Sequence, residues 1–347
     1  MTKPIADATS IATAVRGKEV TAREVVAAAL ARIAEYNQTL NCFTTVLAEQ
    51  ALADADRIDY TIAQGKDPGV LAGVPFAVKD LFDIAGVTTL AGSKIKAEEP
   101  PAAQDATLIV RLCQAGAILV GALMMDEYAY GFTTENYHYG STRNPHDLNR
   151  VAGGSSGGCG AATAAGLVPL SLGSDTNGSI RVPASFCGVF GLKPTYGRLS
   201  RAYTYPFCSS LDHMGVYGRS VRDVALAYDL MQGYDPADPV CTTRPPDLCL
   251  PELAKGIDGL RIAVADDYFA RGGLPEVFAA VEQVATALDA TARVTIPEAK
   301  RARAAAFIIT SVEGANLHLQ RLQHRPQDFD PATRDRLLAG TLIPGVW

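Results

Sequence analysis

Three residues in separate parts of the chain could together form a hydrolytic site. Lys79 ends a strand-like apolar segment, Ser155 lies in the glycine-rich string at 153–158, and Ser179 lies in the segment 174–181. A serine hydroxyl is a weak nucleophile at neutral pH and needs a neighbouring base. A lysine can be that base only where burial or nearby cations keep it neutral. The three residues therefore predict a Ser-Ser-Lys hydrolytic site that needs no histidine.

The backbone around the two serines is suited to binding a negative charge. Glycine allows N–H groups to crowd around a single point, as an oxyanion hole requires. In the second segment the consecutive amides could all face a charge that develops beside the serine. We therefore expect an oxyanion hole formed by the backbone of Thr176, Asn177, Gly178 and Ser179.

Each of the three segments also has a simpler interpretation when it is taken alone. The string at 153–158 could be a flexible loop or an anion-binding loop, although it matches neither GxxxxGK[ST] nor GxGxxG. Lys79 could be a solvated strand end, and 174–181 could be a surface turn. Their occurrence together in one chain favours the catalytic interpretation.

Composition and charge argue against several other classes of function. The 347 residues are 48% hydrophobic, and the net charge of −6 with scattered basic residues predicts no nucleic-acid partner. The seven cysteines form no CxxC pair and the five histidines have no ligand spacing, so we expect no metal and no other cofactor. The start of the chain lacks a signal segment, and no run of ~18 apolar residues occurs, which predicts a cytoplasmic protein with no membrane partner.

The apolar pattern predicts helices first and an α/β core after them. Residues 1–70 should form helices that pack on the core, with a capping box at Thr21–Glu24 and a helix at 47–64. Residues 71–347 predict an α/β core with a largely parallel sheet whose strand ends carry the site, the whole chain forming one domain. The elements expected in this core are strands at 74–78, 117–120, 168–172 and 260–264, helices at 105–112 (capped by Asp105), 160–165 and 275–288, and a surface loop at 235–246.

In these motifs the chain resembles the amidase signature family of Ser-Ser-Lys amidohydrolases. The resemblance extends from Thr21 to about Leu260, with the signature block running from Gly153 to about Pro194. It implies an α/β amidase-signature fold with a mixed, largely parallel central sheet flanked by helices. The family fold continues for longer than this chain, and the apolar ending at 342–347 would expose apolar surface, so we expect that the C-terminal part is missing.

The resemblance also implies a role for each site residue. Ser179 is expected to be the acylated nucleophile, and Lys79 the final base. Ser155, which the family holds next to an unusual cis peptide, is expected to relay the proton between them. Asp175 and Arg181 match a pair that the family keeps behind the loop, and we expect this pair to be structural.

One position departs from the general family pattern and bears on the substrate. Most members have glycine where this chain has Asn177, and asparagine is the next most tolerant residue at positive φ. The segments 125–136, 174–183 and 192–201 are similar to the carboxybiuret hydrolase branch. That branch removes ammonia from a small urea-like acid in cyanuric acid and s-triazine degradation, so we expect a substrate of the 1-carboxybiuret type.

A carboxylated substrate requires polar and cationic contacts in the pocket. The residues expected to contact it are Tyr128, Asn136, Asn177 and Arg201. Arg198 and Arg143 are further candidates for the cation. Each of these side chains could instead serve packing or structural pairing.

Two alternatives to this function remain open. The segment 191–198 is also shared with the glutaminase subunit of the tRNA-dependent glutamine amidotransferase, which uses glutamine as ammonia donor. A non-catalytic scaffold protein that keeps the fold is the alternative from another class. Both enzymatic interpretations imply a small-molecule amide substrate and a small helical companion subunit in a hetero-oligomer.

Overall fold

The structure is a computed structural model that describes residues 6–344. The first residues of the chain, which contribute to the prediction that it has no signal segment, lie outside this range. So do the last residues of the apolar segment 342–347. Within the described range, no helix is long and apolar enough to cross a membrane.

Strands and helices alternate through most of the chain. The strands are β1 (Phe43–Val46), β2 (Pro75–Lys79), β3 (Ile118–Leu123), β4 (Glu135–Asn136), β5 (Gly140–Ser141), β6 (Arg143–Asn144), β7 (Asp147–Val151), β8 (Leu170–Asp175), β9 (Phe190–Leu192), β10 (His213–Gly218), β11 (Ala263–Ala265) and β12 (Ala292–Val294). The helices are α1 (Ala8–Arg16), α2 (Ala22–Leu40), α3 (Ala48–Ala63), α4 (Thr107–Gln114), α5 (Gly157–Ala164), α6 (Arg181–Cys187), α7 (Val221–Met231), α8 (Pro275–Ala287), α9 (Ala299–His324) and α10 (Pro331–Thr341).

The central sheet is mixed and has the strand order β1-β3-β2-β8-β10-β9. Only the three strands β3, β2 and β8 pair in parallel, whereas the outer pairings are antiparallel. These three strands are buried along their whole length, as expected for parallel strands covered on both faces. Because β2 and β8 run in the same direction, their carboxyl ends, Lys79 and Asp175, meet at one edge of the sheet.

The N-terminal helices pack on this sheet through their apolar faces. Ile11, Val26 and Ile33 belong to the same buried cluster as Phe76 of β2. The predicted capping box is present at the start of α2, where the side chains of Thr21 and Glu24 each accept a hydrogen bond from the other residue's backbone N–H. These contacts stabilise the helix start and orient its buried face towards the core.

One detail of the predicted elements is wrong. Asp105 does not cap α4, which begins at Thr107, and its carboxylate instead accepts a hydrogen bond from the Ala85 N–H at 2.8 Å. The proline-rich stretch at 235–246 contains no helix or strand and exposes more than half of its residues, as expected of a surface loop. Within it, Asp235 and Asp238 are buried and accept hydrogen bonds from side chains of other segments, because a buried carboxylate requires hydrogen-bond partners.

The last part of the described chain forms a helical layer beside the sheet. Helices α9 and α10 pack on the core through a second buried cluster that includes Tyr128, Leu322, Phe329 and Leu337. In the chain before α9, α8 and the short parallel pair β11 and β12 leave apolar side chains exposed; Leu274 is 70% exposed.

Candidate active site

Lys79 is the centre of a buried polar cluster at the carboxyl edge of the sheet. It is the last residue of β2 and is 0% exposed. Its ammonium group donates a hydrogen bond to Ser155 Oγ at 2.7 Å and another to Ser174 Oγ at 2.8 Å. Both serines are also buried. The structure therefore brings Lys79 into direct contact with Ser155, the serine predicted to relay the proton between Ser179 and Lys79.

Burial makes the neutral amine of Lys79 more accessible than that of an exposed lysine. Burial is the largest influence and lowers the pKa of Lys79 to about 8, although nearby acidic groups, including Asp126, oppose the change. At neutral pH a lysine with this pKa is partly deprotonated, whereas an exposed lysine is almost fully charged. Burial thus gives Lys79 a neutral fraction at neutral pH, which a lysine base requires.

The loop that carries Ser155 is held in a narrow space by Asp126. The Gly154–Ser155 peptide bond is cis, as the family resemblance implies. A Cβ added at Gly154 would lie 2.1 Å from Asp126 Oδ2 and 2.6 Å from the Thr133 nitrogen, so glycine is required here. The Asp126 N–H donates to the Ser155 carbonyl at 3.2 Å, and its carboxylate accepts the Thr134 N–H. Asp126 therefore links the Ser155 loop to the backbone at Thr134.

Asp175, at the end of β8, organises the loop that carries Ser179. Its carboxylate accepts hydrogen bonds from the N–H groups of Gly178 at 2.8 Å and Ile180 at 3.1 Å. The same carboxylate forms an ion pair with Arg181 through Nε at 3.0 Å and Nη2 at 2.9 Å. The predicted structural pair is present, and it fixes the backbone on both sides of Ser179, whose carbonyl accepts the Tyr217 hydroxyl at 3.0 Å.

The four amides predicted to form an oxyanion hole are not equivalent. The N–H of Gly178 already donates to Asp175, so the geometry does not favour its donation to an oxyanion. In the described part of the chain, the amides of Thr176, Asn177 and Ser179 donate to no side chain, and their role stays a prediction. The Thr176 hydroxyl donates to Asp212 Oδ1 at 2.6 Å, which anchors the start of the loop.

The side chains predicted to contact substrate lie in different environments. Tyr128 is buried in the second cluster, where its hydroxyl accepts a bond from Ser93 at 2.7 Å. Asn136 is also buried and donates to the carbonyls of Gly92 and Met125. Their positions favour structural roles, and their contact with substrate stays a prediction.

Arg201 and Asn177 line two different clefts. The guanidinium of Arg201 binds Asp238 at 3.2 Å and donates to the Ser209 carbonyl at 2.6 Å, so it is engaged by the protein itself. Asn177 is half-buried and lines a cleft of about 520 Å³ beside the Ser179 loop. Of the four predicted contacts, Asn177 has the position best suited to meeting a ligand.

Sequence reasoning missed three residues of the cluster: Ser174, Asp126 and Asp212. The sequence did contain a signal for Ser174 and Asp126. Each is a polar residue at or just after the end of an apolar strand, and both strands belong to the parallel part of the central sheet. Asp212 has no comparable signal, since its partner Thr176 is 36 residues away in sequence. Residues 6–344 contain no group of three or more Cys, His, Asp or Glu side chains arranged to hold a metal ion.

Comparison with known proteins assigns the family. The family model for Amidase matches residues 24–340. The chain belongs to the amidase signature family. It is 57% identical over 326 residues to AtzE, the 1-carboxybiuret hydrolase subunit of Pseudomonas sp. (strain ADP), covering 94% of this chain and 71% of that protein. It is 42% identical over 312 residues to a glutamyl-tRNA(Gln) amidotransferase subunit of Chromohalobacter salexigens, covering 89% and 64%.

Solved structures support the same family. The chain matches an s-triazine catabolic enzyme, described with a vestigial protein complex, at 55% identity and a TM-score of 0.97, covering 99% of this chain and 75% of that one. It matches a bacterial aryl acylamidase at 27% identity and a TM-score of 0.89, covering 98% and 73%. These findings confirm the amidase-signature fold and the enzyme class: the protein is an amidohydrolase. The non-catalytic scaffold alternative is accordingly set aside.

Proposed function

We propose that this amidohydrolase releases ammonia from a small urea-like acid of the 1-carboxybiuret type through an acyl-enzyme on Ser179. The observation that carries the chemistry is the 2.7 Å hydrogen bond between Nζ of the buried Lys79 and Ser155 Oγ. The substrate class is supported by 57% identity to a 1-carboxybiuret hydrolase, against 42% to a glutamyl-tRNA(Gln) amidotransferase. The s-triazine catabolic enzyme matched in structure supports the same class.

In the proposed acylation step, neutral Lys79 accepts the Ser155 proton while Ser155 accepts the proton of Ser179. Ser179 Oγ then attacks the terminal amide carbon, and the amides of Thr176, Asn177 and Ser179 stabilise the oxyanion. The proton returns through Ser155 to the leaving nitrogen, so the C–N bond breaks and ammonia departs.

Deacylation repeats the proton transfers with water as the nucleophile. Water loses a proton through Ser155 to Lys79 and attacks the acyl carbon. The bond to Ser179 Oγ breaks, and this oxygen regains a proton from the same relay. The acid product leaves, and Lys79 is neutral again.

The direct test measures ammonia release by the purified protein with 1-carboxybiuret and, in parallel, with glutamine. We expect turnover of 1-carboxybiuret in the wild type and its loss in Ser179→Ala. Mass spectrometry after treatment with an amide-mimicking electrophile should find the label on Ser179. Turnover of glutamine alone would contradict the proposed substrate, and a label on another serine would contradict the proposed nucleophile.

A companion subunit is part of this proposal. One solved relative is described with a vestigial protein complex, and this supports the predicted hetero-oligomer with a small helical chain. Native mass spectrometry of the protein purified from its own cells should then detect a small second chain. A cytoplasmic location stays a prediction.

A further inference from the structure

The cleft beside the Ser179 loop combines two arginines with a largely apolar lining. Thr176 and Asn177 belong to its lining, and the first turns of α9 contribute Arg303 and Phe307 to the same cleft. Phe132, also in the lining, lies 3.6 Å from where a Cβ of Gly178 would be. The cleft therefore opens directly beside the amides that are proposed to bind the oxyanion.

The charges that line this cleft have a single sign. Its lining includes two arginines, Arg181 and Arg303, and no carboxylate side chain. Arg181 is neutralised by its ion pair with Asp175. Within residues 6–344, no Asp or Glu forms an ion pair with Arg303, so its positive charge is available to a ligand.

Arg303 is also held in position by aromatic neighbours. Its guanidinium carbon lies 5.5 Å from the centre of the Phe307 ring, and Nη1 donates to the Tyr268 hydroxyl at 3.2 Å. Stacking on an aromatic ring limits the orientations of a guanidinium and leaves its other N–H groups free to bind a carboxylate. The neighbouring Arg301 differs, because it pairs with Glu298 at 3.0 Å.

The arginines predicted from the sequence are less suited to this role. Arg201 is paired with Asp238. Arg198 donates to Gln232 and to the Pro245 carbonyl. Arg143 is an exposed residue of the short β6 strand and does not line the cleft beside Ser179.

We infer that Arg303 binds the carboxylate of the substrate in this cleft, with the amide to be cleaved directed towards the Ser179 loop. The inference rests on the proposed function, because it assumes a carboxylated amide substrate. A planar guanidinium recognises a carboxylate through two parallel hydrogen bonds, which fixes orientation as well as affinity. Arg303 is thus a specificity-determining residue that distinguishes acids from neutral amides.

Calorimetric binding of malonate and malonamide tests the inference without any turnover. The two compounds match in size, and only malonate carries carboxylates. In Arg303→Gln, the Kd for malonate should rise on the order of ten- to a hundredfold, while malonamide binding stays unchanged. Arg303→Lys should recover part of the affinity. Arg301→Gln, on the same helix, is the matched control and should bind malonate like the wild type.

A kinetic measurement separates this inference from the proposed function. With 1-carboxybiuret, Arg303→Gln should raise KM more than it lowers kcat, because the carboxylate contact exists before and during the reaction. Equal malonate affinity in Arg303→Gln and Arg301→Gln, or no binding by the wild type, would overturn the inference. If the wild type binds malonate through Arg303 but does not release ammonia from 1-carboxybiuret, the carboxylate site stands and the proposed substrate is wrong.

Discussion

The pH dependence of the reaction follows from the burial of Lys79. Protonated Lys79 cannot accept a proton from Ser155, so the enzyme should be active only in the fraction with a neutral lysine. Burial lowers the pKa of Lys79 to about 8. We therefore expect kcat/KM to increase with pH, to reach half of its maximum near pH 8 and to level off above it.

The size of the change can be worked out from this pKa. With a pKa of about 8, the neutral fraction is about one tenth at pH 7 and about nine tenths at pH 9, so kcat/KM should rise roughly tenfold between these values. A lysine with the ordinary pKa of about 10.4 would give a rise of roughly a hundredfold over the same range, with no plateau below pH 10.

The assay is continuous ammonia detection over pH 6 to 10 with substrate well below KM. Lys79→Met is the control, and its residual rate should increase with pH without levelling off near 8, because hydroxide then replaces the missing base. Asp126→Asn should shift the half-maximal point to lower pH, since the charge of Asp126 raises the pKa of Lys79. A half-maximal point near pH 10, or the same profile in Lys79→Met, would refute the assignment of Lys79 as the base.

Three further substitutions test the packing around the site. Gly154→Ala should lower the melting temperature and abolish activity, because its Cβ would overlap Asp126 and the Thr133 backbone. An unchanged melting temperature would contradict this overlap. Asp212→Asn should lower kcat by about tenfold with little change in KM, since the loop anchored through Thr176 loosens; an effect on KM alone would argue against this positioning role. Arg201→Gln should reduce the free energy of unfolding by about 2–4 kcal/mol, measured with urea, because it leaves buried Asp238 unpaired. Its KM for 1-carboxybiuret should stay unchanged, and a large rise in KM would support Arg201 as a substrate contact.

Much of the fold could be predicted because its signals are local. The capping box at Thr21–Glu24 involves residues three apart, and apolar runs located the strands β2, β3 and β8 to within a few residues. The antiparallel pairings at the sheet edges could not be predicted, since strand order depends on contacts between distant segments. Asp105 failed as a cap for the same reason: its partner Ala85 is 20 residues away. The division of the chain at residue 70 within one domain stays a prediction.

The sequence by itself determined the types of residue available for chemistry and the family to which their motifs belong. Only the tertiary structure decided what those residues can do. Parallel pairing of β2 with β8 places Lys79 against Ser174, 95 residues away, and the packed layers around the sheet exclude the water that would otherwise keep this lysine charged. Likewise, Arg201 forms an ion pair with Asp238, whereas Arg303 has no acidic ion-pair partner within residues 6–344. Charge state and availability depend on burial and on partners distant in sequence, which no local pattern encodes.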